Sequence, residues 1–419
     1  MERALLVTIN LRPEKDSWEV EDAVSELQEL VSACGVQPLE NIIVFCDRPT
    51  PNFLIGRGKV EEIGLLAQEL EVDTIILSHD LSGTQQRNLE EAWGKKTIDR
   101  TQLILGIFAR RAKSPEGKMQ VELAQLEYLL PRLVGKGIIL SRQGGGLGTS
   151  GPGEKKLEID RRRVRERIDK FKDDLKGVAA HRFLIRKKRR DDDIPLVVLV
   201  GYTSAGKSTL LNALAQARQV VSGSLFITLD PKAQNLKLPN GEQIVISDTV
   251  GFLRNLPHNL IEAFKATLEE VTGADLLIHV LDASSAQVYE RHKAVLKVLK
   301  ELRAEEKPII TALNKIDLLD DQAWLANLSK DFINSVPISA KLSQNLDVLL
   351  KAIQGNFPEK MMELDILIPH RRMDLVDLFY RQGKVVRIKY LQKGIKIKVN
   401  ISKILYHKLL QNKEIENNC

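Results

Sequence analysis

The sequence predicts an α/β protein in three parts: an N-terminal α/β domain with a helical hairpin, a central α/β domain and a small C-terminal α+β domain. Three observations support this prediction. In the first and central parts, short apolar runs alternate with helical stretches, which is typical of parallel βαβ units. Between them, two segments carry apolar residues at alternating steps of three and four, which indicates paired helices. The final segment alternates strand-like and helical stretches on a smaller scale.

The composition of the 419 residues is that of a globular protein, with 43% hydrophobic and 28% charged residues, and it excludes a disordered or fibrous chain. The three cysteines form no C-x-x-C pair and no ligand cluster with the seven histidines, so we expect neither a disulfide framework nor a structural zinc site. No apolar run approaches the roughly 18 residues of a membrane-spanning helix. We therefore expect a cytoplasmic protein without a membrane span. We also expect a monomer, although the sequence carries no signal for the oligomeric state.

The N-terminal α/β domain is predicted to cover residues 1–112. Because its β-like runs alternate with helical stretches, the sheet is expected to be mostly parallel. Ser17 can cap the first helix, which continues to Cys34 and stops at Gly35. The predicted strands are 4–10, 41–47 and 74–80, and two further helices follow Gly58 and lie near 84–93.

Residues 113–193 are predicted to form an antiparallel helical hairpin followed by a basic linker. The apolar residues of its two helices are Met119, Leu123, Leu126, Leu130 and Leu133 on the first and Leu157, Val164, Ile168, Phe171 and Leu175 on the second. The joining loop, 135–154, contains eight of the 26 glycines. This loop is either a flexible connector or, because Arg142, Lys155 and Lys156 flank its glycines, a segment that approaches an RNA backbone.

The positive charge of the chain is concentrated in this hairpin. The whole chain has a net charge of +6, whereas residues 155–190 contain 16 Lys or Arg against 6 Asp or Glu. Two interpretations remain open. One is a solvated helix face followed by a linker, and the other is a nucleic-acid contact in which these cations bind phosphates.

The central domain, predicted over 194–358, begins with a phosphate-binding motif. Residues 201–208, GYTSAGKS, match G-x-x-x-x-G-K-S, with a β run before them and a helix after them. Glycines allow backbone N–H groups to surround the phosphates, and the helix N-terminus adds a favourable dipole. In this motif Lys207 reaches the β- and γ-phosphates, and the Ser208 hydroxyl ligates Mg²⁺.

Two later motifs predict that the bound base is guanine. Asp317, in the N-K-I-D motif at 314–317, can accept hydrogen bonds from both N1–H and the 2-amino group of guanine. Adenine offers neither donor and would leave the carboxylate unpaired, at a cost of about 1–3 kcal/mol or more. The S-A-K triplet at 339–341 follows the next strand and can supply a backbone N–H to the guanine O6.

The segments between these motifs predict a nucleotide-dependent switch. In the D-T-V-G motif, Asp248 is expected to hold Mg²⁺ through a water, and the Gly251 N–H is expected to contact the γ-phosphate. Thr228 is expected to give Mg²⁺ a second hydroxyl. Both segments would order around the γ-phosphate and relax after hydrolysis. Phe252 stands where many GTPases have a water-orienting glutamine, so intrinsic hydrolysis is expected to be slow unless a partner completes the site.

The remaining residues, 359–419, are predicted to form the small α+β domain. The predicted order is strand 364–368, helix 372–382, strands 384–391 and 394–400, and helix 402–411.

These motifs resemble those of the HflX family of translational GTPases over most of the chain. The guanine-nucleotide motifs are GYTSAGKST, FITLDP, DTVGF, NKID and SAK, and the more specific segments are 99–133 and 141–168, which resemble the family's helical hairpin and glycine-rich loop. The resemblance implies a central P-loop GTPase domain and hydrolysis of GTP to GDP and phosphate with Mg²⁺. It further implies binding to the large ribosomal subunit and its rRNA, stimulation by the ribosome, and a role in ribosome splitting, rescue or subunit maturation.

Two departures from the family pattern concern ribosome coupling more than nucleotide binding. Ser150 stands where the family usually has an arginine in its glycine-rich loop, which removes one expected RNA contact. Residues 232–234, Lys-Ala-Gln, replace the more usual Thr-Thr-Arg after the switch Asp-Pro.

The motifs and the resemblance together define the candidate residues. The catalytic candidates are Lys207, Thr228 and Gly251, and the Mg²⁺ candidates are Ser208, Thr228 and, through a water, Asp248. The GTP-binding candidates are Gly201, Tyr202, Thr203, Ser204, Ala205, Gly206, Lys207, Ser208, Thr209, Phe226, Ile227, Thr228, Leu229, Asp230, Asp248, Thr249, Val250, Gly251, Asn314, Lys315, Ile316, Asp317, Ser339, Ala340 and Lys341. The RNA-contact candidates are Arg142, Lys155, Lys156, Arg161, Arg162 and Arg165.

Two other classes of function remain open at this stage. Residues 53–60, FLIGRGKV, contain a Gly-Arg-Gly-Lys turn able to bind a phosphate. This turn permits an RNA-remodelling nucleotidase with a second (ATP) site in the N-terminal domain. The absence of glutamine after Gly251 also permits a GTP-gated binding module without catalysis.

Overall fold

The computed structural model describes residues 2–11, 20–133, 152–191, 194–215, 232–252, 265–332, 334–357, 361–402, 405, 406 and 409. The chain divides into two compact units, Met1–Asn235 with Val245–Leu346 and Leu236–Ile244 with Asp347–Cys419. A four-stranded sheet belongs to the first unit and a three-stranded sheet to the second, and a six-stranded sheet forms the core of the central domain. The predicted α/β class and the small C-terminal domain are confirmed.

The four-stranded sheet of the N-terminal domain is parallel throughout, in the order β2-β1-β3-β4. Six consecutive residues of β1 are buried, as expected for a central strand covered on both faces. The elements are β1 (Arg3–Leu11), α1 (Val20–Ala33), β2 (Gln37–Cys46), α2 (Arg57–Glu69), β3 (Thr74–Leu77), α3 (Gly83–Trp93), β4 (Lys96–Ile98) and α4 (Arg100–Arg111). The predicted helix cap Ser17 lies outside the described residues.

Short polar side chains determine where the helices of this domain begin. Ser82 accepts a hydrogen bond from the Gln85 N–H, while the Gln85 side chain accepts one from the Ser82 N–H, so a capping box starts α3. Gly94 ends α3 in the left-handed conformation, with φ +61°. These signals agree with the predicted third helix near 84–93.

The hairpin consists of α5 (Pro115–Arg132) and α6 (Pro152–Asp191). The second helix begins inside the predicted loop and continues through the basic residues 186–190 to Asp191, so the basic linker expected after the hairpin is part of the helix. Only one glycine, Gly177, and no proline stands between Glu154 and Asp191. With no strong helix breaker, the helix continues to the Asp-Asp-Asp run.

The buried carboxylate of Asp99 attaches the hairpin to the N-terminal sheet. It accepts hydrogen bonds from the N–H groups of Leu81 and Gln102, and it pairs with Arg132 at the end of α5, 2.9 Å away. Burial raises the pKa of this carboxyl, whereas the two N–H groups, Tyr128 and Arg132 act in the opposite direction.

The six-stranded sheet of the central domain has the order β10-β9-β8-β5-β7-β6. The pairs of β5 with β7 and β8, of β8 with β9 and of β9 with β10 are all parallel. Their carboxyl ends therefore meet at one edge, where α/β proteins bind their ligands. The elements are β5 (Leu196–Val200), α7 (Lys207–Leu214), β6 (Lys232–Lys237), β7 (Gln243–Asp248), α8 (Lys265–Thr272), β8 (Leu276–Asp282), α9 (Val288–Glu301), β9 (Ile309–Asn314), α10 (Gln322–Asp331) and β10 (Ser335–Pro337).

The second unit contains an antiparallel sheet in the order β11-β13-β12. Its elements are α11 (Leu346–Gly355), β11 (Met361–Ile368), α12 (Met373–Gln382), β12 (Gly383–Leu391) and β13 (Gly394–Ser402). The fully buried Phe379 of α12 packs in a core with Ile397 and Val399 of the central strand. Strand β13 continues through 402, so the predicted helix starts later than expected; residues 405, 406 and 409 are helical.

None of the helices that the structure describes is both long enough and apolar enough to cross a membrane.

The side chain of His279, on β8, is a titratable group buried in the core of the central domain. Its ring is fully buried and stacks on the ring of His292, with centroids 5.1 Å apart. Neither of its ring nitrogens has a hydrogen-bond partner among the described residues. Burial, together with the nearby charges of His292 and Lys207, lowers the pKa of His279 to about 3. The ring is therefore neutral in the folded protein.

We expect the substitution His279→Leu to reduce the acid sensitivity of the fold. An unfolded chain protonates this histidine below about pH 6.5, so folding stability is lost as the pH falls from there towards 3, by about 2 kcal/mol at pH 5. Urea unfolding at neutral pH and at pH 5 should show that His279→Leu loses about 2 kcal/mol less than the parent protein over this interval.

The matched control for this experiment is His370→Leu, which removes an exposed histidine. Equal acid losses in His279→Leu and in the parent protein would contradict the assignment.

Candidate nucleotide-binding site

The loop between β5 and α7 has the geometry of a phosphate-binding loop, and two of its glycines are required by close approaches. A Cβ on Gly201 would lie 2.4 Å from the carbonyl oxygen of Val280, and a Cβ on Gly206 would lie 2.3 Å from Nδ2 of Asn314. Gly206 also has φ +94°, which side chains rarely tolerate. The loop can therefore take this course only with glycine at both positions.

Lys207 lies at the first position of α7, with its ammonium group inside the loop. Its Nζ donates hydrogen bonds to the carbonyl oxygens of Gly201 and Tyr202, at 3.0 and 2.9 Å. Burial lowers the pKa of Lys207 to about 8, and the charge of Asp248 opposes this shift. Bound phosphates would offer the ammonium stronger, charged acceptors at the same place.

Ser208 and Asp248 bring together two oxygen ligands at the start of α7. The Ser208 hydroxyl donates to Oδ2 of Asp248 at 2.6 Å, and the Asp248 side chain is fully buried. Mg²⁺ prefers hard oxygen ligands, usually one or two protein oxygens together with substrate phosphates and waters. This hydroxyl and carboxylate fit that preference.

The D-T-V-G segment lies directly against the phosphate-binding loop. The Phe252 N–H donates to the Gly201 carbonyl, and the Thr203 N–H donates to the Phe252 carbonyl, both at 3.0 Å. A Cβ on Gly251 would lie 2.9 Å from Cα of Thr203 and 3.1 Å from Nζ of Lys207. The Phe252 ring is 3% exposed and packs in the core, so this side chain contributes packing and no amide.

At the base-binding end, Asn314 connects two loops through its amide group. Its Nδ2 donates to the carbonyl oxygen of Ala205 at 2.8 Å, and its Oδ1 accepts from the Ala340 N–H at 2.9 Å. The phosphate-binding loop and the S-A-K loop are therefore held by one buried side chain. Lys315 has φ +66° and pairs with Asp282 at 2.7 Å.

The guanine-recognition candidate Asp317 lies next to the S-A-K loop. Its Oδ1 accepts a hydrogen bond from the Ser339 hydroxyl at 2.6 Å, and the same hydroxyl oxygen accepts from the Leu342 N–H at 3.1 Å. Ser339 is fully buried and positions the Asp317 carboxylate through this hydrogen bond. Asp317 itself is only partly buried. The motifs predicted to contact the base are thus together at one edge of the sheet.

Several candidate residues lie outside the described residues. They are Arg142 and the switch residues Phe226, Ile227, Thr228, Leu229 and Asp230, and the side chains of Lys155 and Lys156 are likewise not described. Of the other RNA-contact candidates, Arg165 is exposed, Arg161 is half-buried, and Arg162 pairs with Glu166 on the surface of α6.

The FLIGRGKV segment forms the start of α2. Ile55 is buried, Gly56 is the residue before the helix, and the helix begins at Arg57. Lys59 pairs with Glu62 on the helix surface. The predicted Gly-Arg-Gly-Lys turn is therefore the first turn of a helix.

Sequence reasoning missed a set of contacts between the N-terminal domain and the central domain, one of which involves the phosphate-binding loop. The Tyr202 hydroxyl donates to Glu26 of α1 at 2.7 Å, and Glu26 also pairs with Arg100 at 3.2 Å. Gln287 donates to Asp22, one turn earlier on α1. Nothing in the motif spacing signals the contacts of Tyr202 and Gln287, because they join residues 176 and 265 positions apart.

A parallel sheet with a G-x-x-x-x-G-K-S loop, a buried D-x-x-G aspartate, and N-K-I-D and S-A-K loops meeting at its carboxyl edge defines a P-loop GTPase. The chain matches three family models in succession. They are the GTP-binding GTPase N-terminal region over residues 21–109, the GTP-binding GTPase middle region over 111–189 and the 50S ribosome-binding GTPase over 196–315.

Curated relatives give the particular family. The chain is 45% identical to the GTPase HflX of Caldanaerobacter subterraneus over 96% of this chain and 91% of that protein. It is 41% identical to the GTPase HflX of Escherichia coli over 91% of this chain and 88% of that protein. The chain belongs to the HflX family of ribosome-associated GTPases, and it is a GTPase.

Among solved structures, the chain is similar to a GTP-binding protein from Sulfolobus solfataricus in complex with GDP. The two are 26% identical, the alignment covers 85% of this chain and 98% of the other, and the TM-score is 0.45.

We expect Asn314→Ala to weaken both folding and nucleotide binding. The substitution removes the partners of the Ala205 carbonyl and the Ala340 N–H, which should cost about 2–4 kcal/mol for two buried polar groups. Asn314→Asp keeps the acceptor but places a buried carboxylate oxygen against the Ala205 carbonyl, so its loss should be at least as large. Urea unfolding and titration with a fluorescent GTP analogue measure the two effects. Parent-like GTP affinity in Asn314→Ala would show that the two loops do not depend on this amide.

Proposed function

We propose that this GTPase is a Mg²⁺-dependent switch that binds the large ribosomal subunit and its rRNA and acts in ribosome splitting, rescue or subunit maturation. The observation that carries the proposal is an ion-pair cluster between the hairpin and the central domain. Arg182 of α6 pairs with Glu116 of α5, and Arg186 pairs with Glu269 of α8 at 3.2 Å. Helix α8 follows the D-T-V-G motif in the sequence, and we propose that this cluster couples the γ-phosphate sensor to the basic hairpin.

The partial burial of this cluster supports a coupling role. The side chains of Arg182 and Arg186 are 15% and 16% exposed, whereas the surface pair Arg162–Glu166 is 72% and 67% exposed. Exposed pairs contribute little to structure, but breaking a buried pair leaves an uncompensated charge. A movement of α8 would therefore carry the hairpin with it.

The proposed roles of the nucleotide-site residues rest on the motifs to which they belong. Lys207 binds the β- and γ-phosphates, Ser208 and Thr228 give hydroxyl ligands to Mg²⁺, and Asp248 holds the ion through a water. Mg²⁺, when bound, neutralises the phosphate charge that develops during hydrolysis. The Gly251 N–H contacts the γ-phosphate. Because Phe252 carries no amide, the ribosome is proposed to complete the site and stimulate hydrolysis.

Some cations of the basic hairpin already have partners within it. Arg167 and Lys172 pair with Glu122 and Glu127 of α5. Arg161, Arg162 and Arg165, with Arg142, Lys155 and Lys156 near the glycine-rich loop, are proposed to contact rRNA phosphates. Phosphate contacts of this kind give affinity that falls steeply with salt.

The proposal also covers the oligomeric state, the location and the domain bounds of the protein. We propose a monomeric, cytoplasmic protein with four parts: an N-terminal domain over 1–112, a hairpin over 113–193, a GTPase domain over 194–358 and a C-terminal domain over 359–419.

We expect Asp317→Asn to weaken GTP binding by about tenfold or more, because a charged acceptor for two guanine donors is removed. The asparagine can donate to the 2-oxo group of xanthine, so xanthosine triphosphate should become the better ligand. Titration with fluorescent analogues of both nucleotides measures this change in nucleotide preference. Asp320→Asn, at an exposed neighbouring position, is the matched control and should retain the parental preference. Unchanged GTP affinity in Asp317→Asn would exclude the proposed base contact.

The test of the proposed function is ribosome pelleting at moderate salt with a non-hydrolysable GTP analogue. Deleting residues 142–153, or reversing Arg161, Arg162 and Arg165 to glutamate, should weaken binding to the large subunit and leave GTP affinity intact. Ribosome-stimulated hydrolysis should fall in parallel, whereas Lys207→Ala should abolish hydrolysis altogether.

The control is a triple reversal of exposed lysines on α9, Lys293→Glu, Lys297→Glu and Lys300→Glu, hereafter the α9 control. It changes the net charge by the same amount as the arginine reversal. Ribosome binding that is equal in the hairpin variants and in the α9 control would show that the basic segment is only a solvated helix face.

A further inference from the structure

The three-stranded sheet of the second unit has a core on one face. Helix α12 packs against all three strands through Leu375, Val376 and Phe379. The core side chains on this face of the central strand are Ile395, Ile397, Val399 and Ile401. Because side chains alternate along a strand, the residues between them lie on the opposite face of the sheet, which we call the open face.

A bulge in β12 determines which side chains reach this open face. The register of β12 against β13 shifts between Val385 and Arg387, which leaves Val386 without a partner in the ladder. Regular alternation from Lys384 would place Val386 on the open face and Arg387 on the core face. The bulge instead brings Arg387 opposite Lys398 and Ile388 opposite Ile397.

The bulge therefore places Lys384, Arg387 and Lys389 of β12 on the open face, beside Lys396 and Lys398 of β13. We call this set of five cations the β12 cationic face. Lys384 lies opposite Asn400, Arg387 opposite Lys398, and Lys389 opposite Lys396. On the other edge strand, Asp365 and Glu363 pair with Lys396 and Lys398. The cations of β12 itself have no ion-pair partner among the described residues, and all three are exposed; they are Lys384, Arg387 and Lys389.

The residue types on this face favour a phosphate backbone over a protein partner. Among the described residues of the three strands, no aromatic side chain is on it, since Tyr390 pairs with Ile395 on the core side of the register. Its exposed leucines, Leu367 and Leu391, lie at the hairpin end rather than at its centre. Protein interfaces rely on central aromatic and apolar anchors, whereas Lys and Arg in a row are the usual phosphate-contacting set.

We propose that the β12 cationic face binds the sugar-phosphate backbone of RNA, with Lys384, Arg387 and Lys389 contacting phosphates. The contact is independent of base sequence, because the face offers positive charge and no group positioned to read base edges. This surface is separate in sequence from the basic hairpin and does not depend on the function proposed for it.

The experiment measures binding of the full-length chain, with a non-hydrolysable GTP analogue, to a fluorescent RNA duplex by anisotropy over a series of KCl concentrations. The test variant carries Lys384→Glu, Arg387→Glu and Lys389→Glu, and the α9 control has the same change in net charge. Both triple variants are also made in the background of the hairpin arginine reversal, so that the two surfaces are measured separately.

We expect the β12 triple reversal to weaken duplex binding by about tenfold or more at moderate salt. It should also make the dependence of log K on log salt shallower: the magnitude of the negative slope should decrease by about three, one for each phosphate that the variant no longer binds. The neutral triple variant with glutamine at the same positions should give a smaller reduction in affinity in the same direction. The α9 control should stay close to the parent, and the β12 effect should persist in the hairpin-reversed background.

Duplex binding by the β12 variants that equals binding by the α9 control would overturn the proposal. So would a β12 variant that keeps RNA affinity and loses affinity for polyglutamate, because the partner would then be an acidic protein. Since the probe is a duplex and not a ribosome, failure here leaves the function proposed for the hairpin standing. Conversely, hairpin variants that retain ribosome binding leave this proposal untouched.

Discussion

The nucleotide site depends on one buried amide, that of Asn314 at the end of β9. It donates to the phosphate-binding loop at Ala205 and accepts from the S-A-K loop at Ala340. The two loops, one for the phosphates and one for the base, are thereby held at a fixed distance from each other, as binding of a single nucleotide requires. Because the side chain is 1% exposed, water cannot replace either hydrogen bond. The parallel sheet brings the loops to one edge, and this amide joins them.

The contacts around this site also join it to the N-terminal part of the chain. On one side, Tyr202 of the phosphate-binding loop bonds to Glu26 of α1. On the other side, Arg186 of the hairpin pairs with Glu269 and Glu270 of α8, which follows the D-T-V-G segment. The phosphate-binding loop and helix α8 are thus in direct contact with parts of the chain outside the GTPase core. The proposed coupling between the nucleotide and a partner of the hairpin would act through such contacts.

Much of the site could be predicted because phosphate-loop and base-recognition motifs are local. Gly206 and Lys207 act within a few residues of each other, so their spacing carries the prediction. Phe252 is recognisable from sequence as a residue without a catalytic amide, but its backbone pairing with Gly201 and Thr203 is not. The burial of His279 is equally hidden, because a single histidine in an apolar run gives no sign that its ring will lack a partner.

The sequence by itself determined the class of fold and the identity of the motif residues, since periodicity, helix caps and short motifs are local properties. The tertiary structure alone decided how far α6 extends, which of its cations are used internally and which face Arg387 occupies. The bulge at Val386 is the clearest case. Regular alternation would assign Arg387 to the core face, whereas the shifted register packs the partly buried Ile388 against the core opposite Ile397. Such choices depend on what the other strands and helices offer, which no local pattern contains.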